Sequence, residues 1–147
     1  MSIKTVEKTV LVLHSAEQMF DLVDTVEDYP QFLPWCSRTE VLKREGDELE
    51  AMLYMDYMKV RQSFGTRNHN TRPHHIRMDL LDGPFKRLSG EWRFNPVGDL
   101  GCRIEFKLEY EFAGSVLSAL IGPVFNRIAA TLVDAFIQEA DRRYDDD

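Results

Sequence analysis

The sequence predicts an α+β fold: one curved antiparallel sheet of about seven strands around a long C-terminal helix, in the order β, α, α, six β, α. Three observations carry this. Between Ser37 and Phe112 apolar residues recur with a period of two, the signature of strands with one dry face. From Ser115 to Tyr144 the period becomes 3.6 residues: Arg127, Thr131, Asp134, Gln138 and Asp141 form a polar stripe beside a broad apolar arc. No other segment is long enough to cover the apolar face of such a sheet.

The elements follow in order. Residues 3–13 (IKTVEKTVLVL) are β-branched and carry Lys4, Glu7 and Lys8, which suits a first strand near a sheet edge. Ser15-Ala16-Glu17-Gln18 is a capping-box pattern that starts a helix running to about Thr25, with Met19, Phe20, Leu22, Val23 and Val26 on its apolar side. Asp28 to Trp35 is broken by Pro30 and Pro34 and leaves room for only a turn or two of helix. Inward sets of strand residues follow: Leu49, Ala51, Leu53, Met55 and Tyr57; Ile76, Met78 and Leu80; Leu88, Gly90, Trp92 and Phe94; and Cys102, Ile104, Phe106, Leu108, Tyr110 and Phe112. Gly46-Asp47, Asp82-Gly83-Pro84 and Gly98-Asp99 punctuate the runs at hairpin spacing. The last helix is expected to be interrupted or begun again at Gly122-Pro123, with Pro123 to Arg143 reaching roughly 31 Å at about 1.5 Å per residue. Asp145-Asp146-Asp147 reads as a solvated tail.

A chain of 147 residues with 44% hydrophobic residues suits a single domain, 1–147, with one sizeable core. Its formal charge of −7 argues against unspecific attraction to nucleic acid or anionic membrane. Cys36 and Cys102 stand in different segments without CxxC spacing and read as reduced thiols. The run Val10 to Leu13 is far too short to span a bilayer, so a soluble, cytoplasmic protein is expected.

Motifs for chemistry are few. His74 and His75 are adjacent on a strand and point to opposite faces, and His14 and His69 have no Cys or Glu at ligand spacing, so no metal site is expected. No nucleophile-elbow glycine pattern and no glycine-rich phosphate loop occurs. Two sets stand out instead. Large apolar residues face inward: Trp35, Leu53, Met55, Phe64, Met78, Leu80, Phe85, Trp92, Phe94, Phe106, Ile121, Phe125, Ile128 and Phe136. They either fill a core or line an adaptable pocket for an apolar ligand, and periodicity does not separate the two. Met52, Tyr54 and Met58 fall on the outer face, as a partner-contact patch or as scattered surface residues. Phe85, after Gly83-Pro84, is aimed in a set direction, as a plug of the sheet end or as part of a cavity mouth opposite Trp35.

Tyr29-Pro-Gln-Phe-Leu-Pro-Trp-Cys-Ser37, Asp82-Gly-Pro-Phe-Lys-Arg-Leu88 with Trp92 and Phe94, Gly122-Pro-Val-Phe125, and Leu132-Val-Asp-Ala-Phe136 together resemble the coenzyme-Q-binding and ribosome-association toxin (RatA) branch of the START-like, polyketide cyclase/dehydrase superfamily. The resemblance spans residues 3–143. It implies a helix-grip fold with an apolar cavity between sheet and helix. For function it implies a carrier of an isoprenoid quinone such as ubiquinone, bound as a ligand and not as a cofactor. The alternative it implies is a protein that binds the large ribosomal subunit and blocks subunit joining. Two departures stand out: Leu13-His14 replaces the Pro-Tyr that relatives often have, and Asn68-His69-Asn70 is more polar than usual. No acid and base pair at a spacing fit for cyclisation is found, so no enzymatic activity is expected. Of the inward residues, all but Phe136 are taken as the ligand-contacting set. For ribosome binding the candidates are Lys59, Arg61, Lys86, Arg87 and Arg93, or the apolar Met52, Tyr54 and Met58.

Overall fold

In the computed structural model, which describes residues 3–144, β1 (Lys4–Val12) lies antiparallel to β7 (Gly101–Phe112), pairing from Lys4 with Tyr110 to Val12 with Cys102. The tail Asp145-Asp146-Asp147 lies outside the described residues. β2 (Cys36–Glu45), β3 (Glu48–Tyr57), β4 (Val60–Thr71), β5 (His75–Asp82) and β6 (Phe85–Val97) complete one seven-stranded sheet of order β1-β7-β6-β5-β4-β3-β2. Every neighbour is antiparallel, so β1 and β2 are the two edges. The edge position expected for the first strand is the one observed.

Alternation holds most clearly in β7, where Cys102, Ile104, Phe106, Leu108, Tyr110 and Phe112 are all buried. Its exception is Glu111, buried beside the Arg87 guanidinium at 3.2 Å. Two glycines allow close approach. A Cβ on Gly101 would stand 1.9 Å from the Val12 carbonyl oxygen, and Gly83 adopts φ +146° with Phe64 Cβ 2.8 Å from where its own Cβ would be.

Helix α1 (Ala16–Asp24) begins with the expected capping box: Gln18 N–H donates to Ser15 Oγ at 3.1 Å and Ser15 N–H to Gln18 Oε1 at 3.0 Å. A 3-10 turn (Val26–Asp28) and the short α2 (Tyr29–Phe32) follow, and the Tyr29 hydroxyl donates to the Val23 carbonyl, tying α2 to α1.

Helix α3 (Ser115–Tyr144) is a correction to the expected break: it runs unbroken through Gly122 and Pro123 for 30 residues. Proline removes one donor to the carbonyl four residues back, here Ala119. Pro123 and Ala119 both lie on the exposed side, where water can satisfy that carbonyl. The polar stripe Arg127, Thr131, Asp134, Gln138 and Asp141 is exposed as read from the sequence, while Phe125, Ile128, Ala129, Val133, Phe136 and Ala140 are buried against the sheet. By length and apolarity α3 could cross a membrane, but its inner face packs into the same core cluster as the strands. Polar contacts fasten it along its length: Tyr110 Oη to Asn126, Lys8 Nζ to Asp134 at 3.4 Å, buried His14 Nε2 to Asp141 Oδ1 at 2.7 Å, and Arg143 to Asp28 at 3.3 Å.

Candidate ligand-binding cavity

Where α3 crosses the concave side of β3 to β7, side chains leave an interior cavity of about 80 Å³. From α3 it is lined by Phe125, Ile128, Ala129, Leu132 and Phe136; from the sheet by Ala51, Leu53, Phe64, Thr66, Asn68, Met78, Leu88, Trp92, Phe106 and Leu108; and from the segment after α1 by Val26, Tyr29 and Trp35. No carboxylate, imidazole or thiol stands among these lining residues. Their polar groups are the Tyr29 hydroxyl, committed to the Val23 carbonyl, the side chains of Thr66 and Asn68, and the indole N–H groups of Trp35 and Trp92. Burial, with the nearby Asp24 carboxylate second, pushes the Tyr29 phenol far above its ordinary range, so it stays protonated.

Outside this cavity runs a surface groove of about 510 Å³ between α3 and the Phe32–Trp35 segment, also bordered by Tyr57. Trp35, Ile128 and Leu132 line both spaces. Interior and surface groove therefore adjoin at these three side chains.

Of the ligand-contacting set read from the sequence, Trp35, Leu53, Phe64, Met78, Trp92, Phe106, Phe125 and Ile128 line the cavity. Met55, Leu80, Phe85, Phe94 and Ile121 do not. Phe85 is buried among Phe64, Tyr110, Phe112 and Phe125, at ring distances of 6.0, 6.2, 5.1 and 5.0 Å, and plugs the sheet end. Phe94 packs on Phe20 and Trp92, Met55 pairs with Cys36 at the β2 edge, Ile121 is buried in the first half of α3, and Leu80 is half-buried on β5. Sequence reasoning left Thr66 and Asn68 out of the set, although parity on β4 puts them inward with Phe64.

The Oδ1 atoms of Asn68 and Asn70 are buried without a hydrogen-bond partner. Such an oxygen costs about 1–3 kcal/mol of stability. At Asn70 the other end of the amide is engaged, Nδ2 donating to Asp24 Oδ1 at 2.9 Å. Asp24 is buried and also meets Arg44 and Arg72, the latter stacked over the Phe20 ring. This ionic cluster closes the end of β4.

Cys36 and Cys102 are free and buried, and burial pushes both thiols up to about 11, so neither is a thiolate at neutral pH. Among the described residues no three His, Cys, Asp or Glu side chains are grouped to hold a metal ion. On the outer surface the basic candidates are mostly matched by carboxylates: Arg87 with Glu111, Arg93 with Glu91 at 3.4 Å, and Arg61 with Asp56 at 3.4 Å. Lys59 and Lys86 are exposed. Met52 lies over Gly65, Tyr54 is covered by the Arg38 guanidinium at 3.7 Å, and Met58, 57% exposed, sits at the β3–β4 turn with φ 51°.

Residues 12–137 match the family described as polyketide cyclase / dehydrase and lipid transport. The ribosome association toxin RatA of Escherichia coli is 40% identical over 139 residues, covering 95% of this chain and 88% of the toxin. The coenzyme Q-binding protein COQ10 homolog B of Xenopus laevis is 32% identical over 135 residues, which is 88% of this chain and 55% of that protein. Among solved structures, an 18 kDa protein of Caulobacter crescentus is 31% identical with a TM-score of 0.70, covering 97% of each chain. A Streptomyces aromatase/cyclase, 19% identical with a TM-score of 0.79 over 97% of this chain and 96% of its own, shares the fold. With its seven-stranded sheet gripping a C-terminal helix, and with these relatives, the chain belongs to the START-like polyketide cyclase/dehydrase and lipid-transport family, in the branch that holds the RatA and coenzyme-Q-binding proteins.

Proposed function

We propose that this chain is a water-soluble, cytoplasmic binding protein that holds an apolar small molecule, an isoprenoid quinone such as ubiquinone or a lipid of similar shape, between sheet and α3. The observation that carries this reading is the apolar cavity, which adjoins the surface groove at Trp35, Ile128 and Leu132. At about 30 Å³ per water its 80 Å³ holds two or three waters, far less than a quinone ring with its tail. Binding therefore requires those three side chains to turn aside and join cavity to groove. Met78 and Leu53, half-buried and unbranched or flexible at their ends, leave the inner wall adaptable. The driving force is apolar area, at roughly 25 cal/mol per Å² removed from water, and needs no ionic anchor. The family's description as lipid transport and the name of the Xenopus relative support the same class of ligand. The lining offers no carboxylate, imidazole or thiol, and its one phenol, Tyr29, is committed to the Val23 carbonyl, which favours a carrier over an enzyme. Organic extraction of the purified protein followed by mass spectrometry, with uptake of ubiquinone from liposomes, tests the reading. About one quinone per chain is expected; a clean extract together with no uptake sinks it.

A second reading, association with the large ribosomal subunit, is favoured by the name of the Escherichia coli relative at 40% identity. With three of the five basic candidates matched by carboxylates, the contact would be made to ribosomal protein through Met58 and its neighbours more than to RNA phosphate. Sedimentation with ribosomes through sucrose at low and moderate salt separates the cases. A protein that stays at the top of the gradient at every salt does not bind ribosomes by itself.

A further inference from the structure

The inward face of β4 reads Phe64, Thr66, Asn68, Asn70, turning from aromatic to amide within one strand. Asn68 is only 7% exposed and lines the cavity. Its ladder neighbours are Leu49 on β3 and Met78 on β5, neither of which offers a side-chain hydrogen bond to an amide of this kind. Its Oδ1 has no partner, whereas Asn70, two residues on, is held by Asp24. A leucine, of the same branched shape and heavy-atom count, would carry no such cost at position 68 beside the cavity, so the amide is unexplained by packing.

We propose that Asn68 is the polar anchor of the cavity, its side-chain amide hydrogen-bonding the one oxygen-bearing end of an otherwise apolar ligand. This rests on the lipid-binding reading above and adds the chemistry of the ligand's head. As the amide stands, Oδ1 accepts from a hydroxyl; turned over, Nδ2 donates to a carbonyl, so a quinol and a quinone ring both qualify. Trp35, Ile128 and Leu132 then mark where the tail leaves. A pure hydrocarbon satisfies nothing at Asn68 and is disfavoured by it.

The test compares the intact protein with Asn68→Leu, each loaded from detergent with ubiquinone-2 or with squalene, an isoprenoid hydrocarbon without oxygen. The unsubstituted protein is expected to retain the quinone at least tenfold better than the hydrocarbon. Asn68→Leu should lose about tenfold in quinone retention, hold squalene at least as well as before, and unfold at an equal or higher urea concentration. A purely structural Asn68 would instead lower the unfolding midpoint and leave the preference unchanged, which overturns the inference. Quinone retention equal in both proteins also overturns it and leaves the lipid reading intact. An unsubstituted protein that retains neither probe removes the lipid reading and the anchor together. Should Asn68→Leu not fold, Asn68→Ala carries the same comparison.

Discussion

Phe64 and Asn68 stand four residues apart on the same inward face of β4, yet their surroundings differ in kind. Phe64 also borders the cavity, but it meets Phe85 and Phe125 edge-on at about 6 Å, and Phe85, Phe112, Tyr110 and Phe125 interlock behind it with ring distances from 4.8 to 6.2 Å. Such pairs add about 0.5–1.5 kcal/mol each beyond the area they bury, so this end of the sheet is a filled plug. Asn68 lies between an aliphatic and a thioether side chain, beside empty volume and with an unmatched oxygen. One region is built for stability and the other tolerates a cost to stability. That contrast distinguishes a core from a site more surely than hydrophobicity does, because both regions are mostly apolar.

The largest expected effect lies in the plug. Phe85→Ala should cost about 3–5 kcal/mol in urea unfolding and leave quinone retention by the remaining folded protein unchanged; a small stability loss with weakened retention would blur the division between plug and site. Next is Glu139, which is buried at the far end of α3 and forked by Arg142 and Arg143. The Arg142 hydrogen bond, first among the causes, holds its carboxyl below the ordinary 4.5, outweighing the opposing effect of burial. Its contribution is therefore complete above that ordinary value and disappears as the pH falls through the lowered one. Glu139→Gln should cost about 1.5–3 kcal/mol at pH 7, and the gap from the unsubstituted protein should close in acid; a gap independent of pH would show that charge is not what the site uses. The smallest stability effect is expected in the cavity. Ala129→Leu adds three methylenes to its wall, and filling there should change stability by about 1 kcal/mol in either direction while lowering quinone uptake at least tenfold. Unchanged uptake would place the ligand elsewhere.

Strand order, the capping box at Ser15 and the polar stripe of α3 were legible because each is local or periodic. A period tells which face a residue takes but not how far along the element the empty volume lies. Phe85, Phe94 and Ile121 therefore share the inward face with Trp92 and Phe125, yet stand away from the cavity. Continuity of α3 through Pro123 depends on which side of the helix the proline falls, and that is set by packing. The spacing of Glu139 from Arg142 and Arg143 is a helix pattern, but the burial of Glu139 is not, nor is the pairing of His14 with Asp141 across 127 residues. Asn68 stands out in the sequence as polar, but only the fold shows that its Oδ1 is buried without a partner.

The order of elements along the chain carries a consequence for biosynthesis. β1 must wait for β7 to find its partner, a pairing that joins Lys4 to Tyr110, and such distant contacts make folding slow. Even then much of the concave face stays uncovered, because the long helix that packs on it, Ser115–Tyr144, is translated after all seven strands. A nascent chain ending before Ser115 is therefore expected to be an adhesive half-structure, digested by protease and captured by chaperones until α3 emerges. Limited proteolysis of residues 1–114, alone and with a synthetic peptide of residues 115–144, checks this: protection that appears only on adding the peptide is the expected result, and a fragment already resistant on its own would contradict it.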